Sequence, residues 1–335
     1  MFDPKPWFIG LEGVEHSAEV ARMLAWAATS GASGIVKPTD LEVRAQPAPT
    51  TSVRIAPGGL VIESRYAGAD QQSYIGRAPT ETALEIPATG SSAGATRYVV
   101  VQILDPDYPG GGVIPTNPNE GVYVKPALVS SLSSSRTEIP LARIDQPANT
   151  TAITNDMIKD LRSLAFPRFK DIWIPRPTVN SAITGYSHDL RAQRTGSNHL
   201  RGEQFPDASR GGAFDVDCPS WATRMLVSAS WTGVRYSGKS AWGAFYLSFV
   251  APNSVEKWTQ DFGFDVLENN TIYKADWNLN DTLPVPRDMR GKTIRFYMKA
   301  FLDNAAPSGA VSLDKRSGLN FRIRFLEEAE SQVEG

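Results

Sequence analysis

Residues 233–250 read GVRYSGKSAWGAFYLSFV, and the two halves of this stretch ask for different folds. The first eight letters, Gly233 to Ser240, fit the phosphate-loop pattern G-x-x-x-x-G-K-[ST]. In such a loop the glycines let backbone N–H groups wrap the phosphates, Lys239 reaches the terminal phosphates and Ser240 holds magnesium. That chemistry requires a strand before the loop and a helix after it. The letters that follow instead place Phe245, Leu247 and Phe249 at every second position, the period of a strand. Residues 228–249, SASWTGVRYSGKSAWGAFYLSF, are therefore expected to form two antiparallel strands joined by a Gly-containing turn at Ser237-Gly238. RFYMKAFLD, ending at Asp303, imitates a magnesium-holding aspartate strand, but its apolar positions also alternate. Without the helix, nucleotide binding is set aside.

The same alternation extends outward on both sides. Phe214, Val216 and Cys218 form one set, and Met225, Val227, Ala229 and Trp231 a second. A third is Phe245, Leu247 and Phe249, and a fourth runs Ile294, Phe296, Met298, Ala300 and Leu302. Leu319, Phe321, Ile323 and Phe325 close the series. Period-two apolar runs with polar partners between them mean half-buried strands, and this many in about 110 residues mean a sandwich or jelly roll. Residues 186–335 are predicted to be an antiparallel β-sandwich.

The N-terminal half, residues 1–165, is expected to be a β-rich domain with one or two short helices. HSAEVARMLAWAATSG predicts a helix near 18–29, with Ser17 as cap, Glu19 in the first turn, an apolar stripe of Val20, Met23, Leu24 and Ala27, and Gly31 as terminator. From Leu41 the runs SVRIA, GLVIESRY, QSYIG, ALEIP and RYVVVQIL are separated by Pro and Gly roughly every eight to twelve residues, the punctuation of short strands. Tyr98 to Leu104 is apolar almost throughout and predicts a strand buried on both faces. ITNDMIKDLRSLA predicts a closing helix near 156–164, with Asn155 as cap and Met157, Ile158, Leu161 and Leu164 as its apolar face. The Pro-punctuated stretch 166–185 is expected to be an extended connector.

With 34 Lys and Arg against 36 Asp and Glu in 335 residues, the chain carries no electrostatic footprint for nucleic acid or an anionic membrane. No run of about 18 apolar residues suits a bilayer span, and no basic, apolar leader pattern stands at the N-terminus. The single Cys218 excludes an intrachain disulfide framework and suits a small buried residue. His16, His188 and His199 are scattered without i, i+4 pairing, so no metal site is expected. Asp105 and Asp107 lack the ladder of oxygen ligands of a calcium loop. No cofactor is implied. Dispersed carboxylates leave a glycosidase pair neither shown nor excluded.

Trp242, Tyr246 and Tyr297 alternate with the core set and are expected on the outer face of the sandwich. Flat rings on a strand face can stack on a sugar while neighbouring polar groups satisfy its hydroxyls, which makes the three a candidate glycan platform. The competing account is a subunit contact, or a face covered by the connector.

Two stretches of the first half, PWFIGLEGVEHSAEVARMLAWAATSGASGIVKPTDLEV (6–43) and ITNDMIKDLR (153–162), resemble the minor tail proteins of siphophages that infect actinobacteria. The resemblance includes Glu15-His16-Ser17 through Arg22, the step Gly34-Ile35-Val36 and the IAPGG turn at Ile55 to Gly59. In the second half CPSWATRMLVSASWTGV (218–234), with its P-x-W-A-T opening, PVPRDMRGK (284–292) and the last strand are similar too. The matched words have no catalytic content. The resemblance implies a non-enzymatic virion component at the distal tail, assembled in the host cytoplasm. In this reading the first domain attaches to other tail proteins and the sandwich is directed to a host-surface glycan. It also implies a homo-oligomer, a trimer foremost, without membrane insertion or nucleic-acid binding. The alternatives are a purely architectural tail or baseplate subunit and an enzyme degrading envelope polysaccharide.

Overall fold

The computed structural model describes residues 17–176, 187–193, 202–208, 211–269, 271–303, 305–306, 309–314 and 316–329. Among the described residues the fold is mainly β, with one α-helix and several antiparallel sheets. The described residues up to Pro167, with Glu328 and Ala329, form one compact unit, and Arg168–Glu327 the other.

The first unit holds the helix Ala18–Thr29, capped by the Ser17 hydroxyl, which accepts from the Val20 N–H at 3.3 Å. The helix turns a face inward that differs from the expected stripe. Arg22 donates from Nε to Gln72 at 2.6 Å and from Nη2 to the Tyr108 hydroxyl at 3.0 Å, and Trp26 donates to Glu63 at 3.2 Å. These polar anchors orient the helix, leaving Met23 and Leu24 each 46% exposed. Three sheets follow. One joins Gly34–Ile35, Gly58–Glu63 and Ser73–Ala78, and another Val43–Ala45, Ser52–Ile55 and Thr82–Glu85. The third orders Ile158–Asp160, Glu138–Gln146, Ala95–Ile103 and Val124–Val129. In Ala95–Ile103 only Val99, Val100 and Val101 are buried in succession, while Tyr98 and Gln102 are half-buried.

The closing helix expected near 156–164 is corrected. Asn155–Met157 make one 3₁₀ turn, and Ile158–Asp160 pair antiparallel with Ala142–Ile144 as an edge strand. The Asn155 side chain accepts from the Ala45 N–H at 2.9 Å instead of capping a helix. The neighbouring strand supplies the backbone partners that a helix would otherwise have to make internally.

The sequence words of the first unit that carry the tail-protein resemblance meet one another here. Ile35 donates to the Ser163 carbonyl at 2.8 Å, and Ala165 donates back to Ile35 at 3.0 Å. A Cβ on Gly34 would lie 2.3 Å from the Ser163 oxygen, so only glycine allows that approach. Asp40 Oδ2 accepts from Lys37 and Gly59 N–H groups at 3.1 and 2.9 Å. Arg162, whose side chain is fully buried, donates to Asp160 from Nε and Nη2 and to the Asp40 carbonyl at 2.6 Å.

Among the described residues the second unit is a sandwich of two six-stranded sheets. In one, Arg224–Tyr236 is central, flanked by Gly318–Leu326 and Tyr273–Pro284, with Phe169–Arg176 at the outer edge of Gly318–Leu326. Val311–Asp314 and Ser187–Asp189 complete it. In the other, Thr293–Leu302 and Ala241–Val250 pair at the centre, joined by Glu203–Gln204, Ala213–Asp217, Lys257–Trp258 and Phe262–Val266. Every residue of the five alternating sets is buried. Phe245 of one sheet stacks on Trp277 of the other with ring centroids 4.7 Å apart, and Phe296 meets Phe321 at 5.1 Å. The resemblance words of this unit meet as well: Cys218 donates to the Lys292 carbonyl at 3.0 Å, Val285 to Thr223 at 2.9 Å, and Thr223 to Leu326 at 3.0 Å.

Two expectations change in this unit. Phe169–Arg176 is not a connector: it pairs with Gly318–Leu326 along its whole length, and an edge strand tolerates its Pro175. The strands on either side of Ser237-Gly238 do not form a hairpin, because Arg224–Tyr236 belongs to one sheet and Ala241–Val250 to the other. The turn, with Gly238 at φ 81°, carries the chain across the core.

Candidate functional site

The phosphate-loop letters sit in that crossing. A strand follows them, and Lys239 spends its ammonium on Glu268 at 2.7 Å while Ser240 Oγ accepts from the Glu268 N–H. Asp105 is committed too: it accepts from the Tyr74 hydroxyl at 2.7 Å and pairs with Arg22 at 3.3 Å. His188 packs edge-on to Phe205, and His16 and His199 lie outside the described residues. Among the described residues no three His, Cys, Asp or Glu side chains gather as a metal site would need. The esterase pattern G-x-S-x-G, expected to be absent from the sequence, does occur, at Gly90-Ser91-Ser92-Ala93-Gly94. It lies in an exposed loop leading into the Ala95–Ile103 strand, with none of the strand-to-helix turn that a nucleophile elbow requires.

The proposed platform of Trp242, Tyr246 and Tyr297 does not assemble. Trp242 is 44% exposed, as expected. Tyr246 is fully buried against Ala192, Trp258 and Phe301, and the Gly202 backbone donates to its hydroxyl. Burial pushes that hydroxyl up to about 12. The outer side of this sheet is therefore partly covered, which strand alternation alone could not reveal. Tyr297 is half-buried between Arg295 and Lys299, whose charged groups lie 5.7 and 5.8 Å from its ring centroid. It pairs with Ser248, six residues along the strand from Trp242, so the two residues' backbones are about 20 Å apart.

The opposite sheet carries a groove instead. Its volume is about 700 Å³, and it crosses the outer face of four strands, Phe169–Arg176, Gly318–Leu326, Arg224–Tyr236 and Tyr273–Pro284. Register sets its floor in rows. Trp173 stands opposite Arg322, Arg322 opposite Ser228, and Ser228 opposite Asn280. The next rows place Asn320 beside Ser230, and Asp171, Arg324, Leu226 and Thr282 in line. Each floor residue alternates with an inward residue of the core, so the pattern that builds the sandwich also builds the groove.

One end of the floor is aromatic and charged. Trp173 is 63% exposed, with the Arg322 guanidinium carbon 5.5 Å from its ring centroid. Asp171 lies between the two arginines: Arg324 donates to it at 2.6 and 3.1 Å, Arg322 at 2.9 and 3.2 Å. Those hydrogen bonds, Arg324's foremost, hold the Asp171 carboxyl well below the usual carboxylate range. At the far rim Asp281 accepts from the Gln260 and Thr282 N–H groups at 3.0 and 2.7 Å. Among the described residues none hydrogen-bonds to the side chains of Ser228, Asn280 or Asn320, which leaves a set of neutral donors and acceptors beside an exposed indole. Such a surface can stack on and hydrogen-bond a polyhydroxylated ring. The sequence signal for it is the Asn and Ser at alternate positions of NLNDT and SAS, on strands that Gly318–Leu326 separates from the edge strand Phe169–Arg176.

No protein-family model and no curated protein matches the chain. Among solved structures, the VP2 subviral particle of infectious bursal disease virus is 13% identical, with 94% of this chain and 78% of that one covered and a TM-score of 0.27. The stem and receptor-binding domain of spike protein P1 from bacteriophage PM2 is 8% identical over 71% of this chain and 90% of that one, at 0.22. PNGase F, a glycosylasparaginase from Flavobacterium meningosepticum, is 8% identical over 87% and 94%, at 0.25. TM-scores of 0.22 to 0.27 set neither a fold family nor a function for this chain.

Proposed function

We propose that this chain is a structural component of a phage virion, of the minor tail kind it resembles, which binds a host-surface glycan and breaks no bond in it. The observation that carries the adhesion reading is the groove on the outer sheet face, with Trp173 open to solvent beside unspent amides and hydroxyls. The first unit serves as the docking part. Its exposed Ile75 and Ile114, 69 and 70% accessible, line one groove with Pro115 and Val124, an apolar surface suited to a protein partner in the tail. Assembly as a trimer would multiply a weak single-site affinity into useful avidity.

The test is retention of the purified full chain on intact host cells and on their isolated envelope. Wild-type protein is expected to be retained, to release no reducing sugar, and to lose retention on Trp173→Ala. A purely architectural subunit would show no retention, and an envelope-degrading enzyme would release sugar.

A further inference from the structure

The charge arrangement of the groove narrows the ligand, given the adhesion reading above. Arg322 and Arg324 supply two positive charges, and Asp171 and Asp281 two negative ones, so the set sums to zero. The charges are also spent on one another or on the chain. Both guanidinium groups present Nε and Nη2 to the single Asp171 carboxylate, and Asp281 is held by backbone N–H groups. An anionic ligand would have to compete with Asp171 for both arginines while approaching Asp281. A cationic one would meet two guanidiniums. An uncharged ligand meets neither penalty.

Size and chemistry point the same way. Three strand spacings separate Trp173 from Asn280, about 14 Å, which is room for more than one sugar ring. The floor between them is Ser228, Ser230, Asn320 and the paired arginines, with Leu226, 36% exposed, as its large aliphatic residue. Trp173, Arg322 and Arg324 are residue types that protein interfaces also use as anchors, but both guanidiniums are held by Asp171 and the floor beyond them is Ser228, Ser230, Asn320 and Asn280, with serine depleted in protein interfaces, so the floor suits hydroxyl groups better than a protein surface.

From this we infer that the groove between Trp173 and Asn280 is a binding site for an uncharged oligosaccharide. One sugar ring stacks on the open side of the Trp173 indole, and its neighbours run across the strands over Ser228 toward Asn280. Arg322 holds the indole in place and offers its remaining N–H groups to ring hydroxyls.

The experiment uses the full chain on an array of neutral gluco-, galacto-, manno- and arabino-oligosaccharides beside uronic-acid and sialylated oligosaccharides, at low and high salt. The inference expects binding to a neutral oligosaccharide that is unchanged by salt and about tenfold weaker in Trp173→Ala and in Asn280→Ala. Both residues are exposed, so the variants should keep the wild-type melting temperature. Binding confined to the acidic sugars and lost in high salt would overturn the inference while leaving the adhesion reading standing. Neutral-sugar binding untouched by both substitutions would overturn the inference and remove the groove as the adhesion site, leaving only adhesion itself. Periodate treatment of the host envelope gives the second arm, and retention that survives it would point to an occupant without vicinal diols and end both the inference and the glycan part of the adhesion reading. Absence of retention on untreated envelope would remove both.

Discussion

Arg322 holds its guanidinium carbon 5.5 Å from the centroid of the Trp173 ring, and the same guanidinium is fixed by Asp171. The groove's aromatic end thus depends on a carboxylate staying ionised. Asp171 titrates well below an ordinary carboxylate, because Arg324 and Arg322 hydrogen-bond its charged form. A depressed folded value contributes stability above the unfolded value, near 3.9, and that contribution is lost as pH falls through the folded value. The clamp is partly exposed, so solvent screening keeps the stability effect small. Affinity for a neutral oligosaccharide should therefore be flat between about pH 5 and 8 and decline only in stronger acid. A titration of binding against pH checks this, and a midpoint near neutrality would contradict it.

Tyr246 and Trp242, four residues apart on one strand, should behave oppositely. Tyr246→Ala removes a fully buried ring and should cost about 3–5 kcal/mol of stability, as large aromatic truncations in cores do. Trp242→Ala removes a ring 44% exposed and should cost far less. Denaturant melts of the two variants make the comparison. Equal, small effects would mean that Tyr246 is not covered.

Arg162 should matter more than any other charged residue of the first unit. Its guanidinium is wholly buried and bridges Asp160 to the Asp40 carbonyl, so Arg162→Ala leaves polar groups unpaired. A loss of about 3–5 kcal/mol is expected, with Arg162→Lys restoring only part, since a lysine cannot present the same fork. Thermal unfolding followed by near-UV signals would show it.

Cys218 should be chemically silent in the folded chain. Burial pushes its thiol up to about 11, from an ordinary value near 8.5. A raised value favours the neutral thiol, so the related stability is present below the unfolded pKa and lost as pH rises through the folded one. Iodoacetamide at pH 8 should leave the native protein unmodified by intact mass and label it quickly in denaturant. Native labelling at the denatured rate would contradict the burial.

The sandwich was legible because its core repeats every second residue: Met225 to Trp231, Phe245 to Phe249 and Ile294 to Leu302 all point inward as that period demands. What the period could not show was pairing. It gives a side-chain face but no neighbour, so the strands around Ser237-Gly238 were expected to pair when they belong to different sheets. Met157, Ile158, Leu161 and Leu164 fit a helical stripe equally well, and only the free edge at Ala142–Ile144 decides for a strand. The candidate site was the least legible part. Strand alternation places Tyr246 outward on Ala241–Val250, where the Gly202 backbone covers its hydroxyl and Ala192 and Trp258 pack against its cluster, and none of these neighbours is predictable from alternation. The groove takes its indole from a segment whose prolines read as linker. Within the stretches that carry the resemblance, residues far apart in sequence meet as joints: Arg162 on Asp40, and Cys218 on Lys292.

The most direct test is an NMR titration of the full chain with the neutral oligosaccharide that binds best, following the indole N–H signals and the side-chain amides. The account predicts that Trp173, Asn280 and Asn320 shift together with one saturable curve while Trp242 stays still. Shifts at Trp242 with Trp173 unmoved would contradict it.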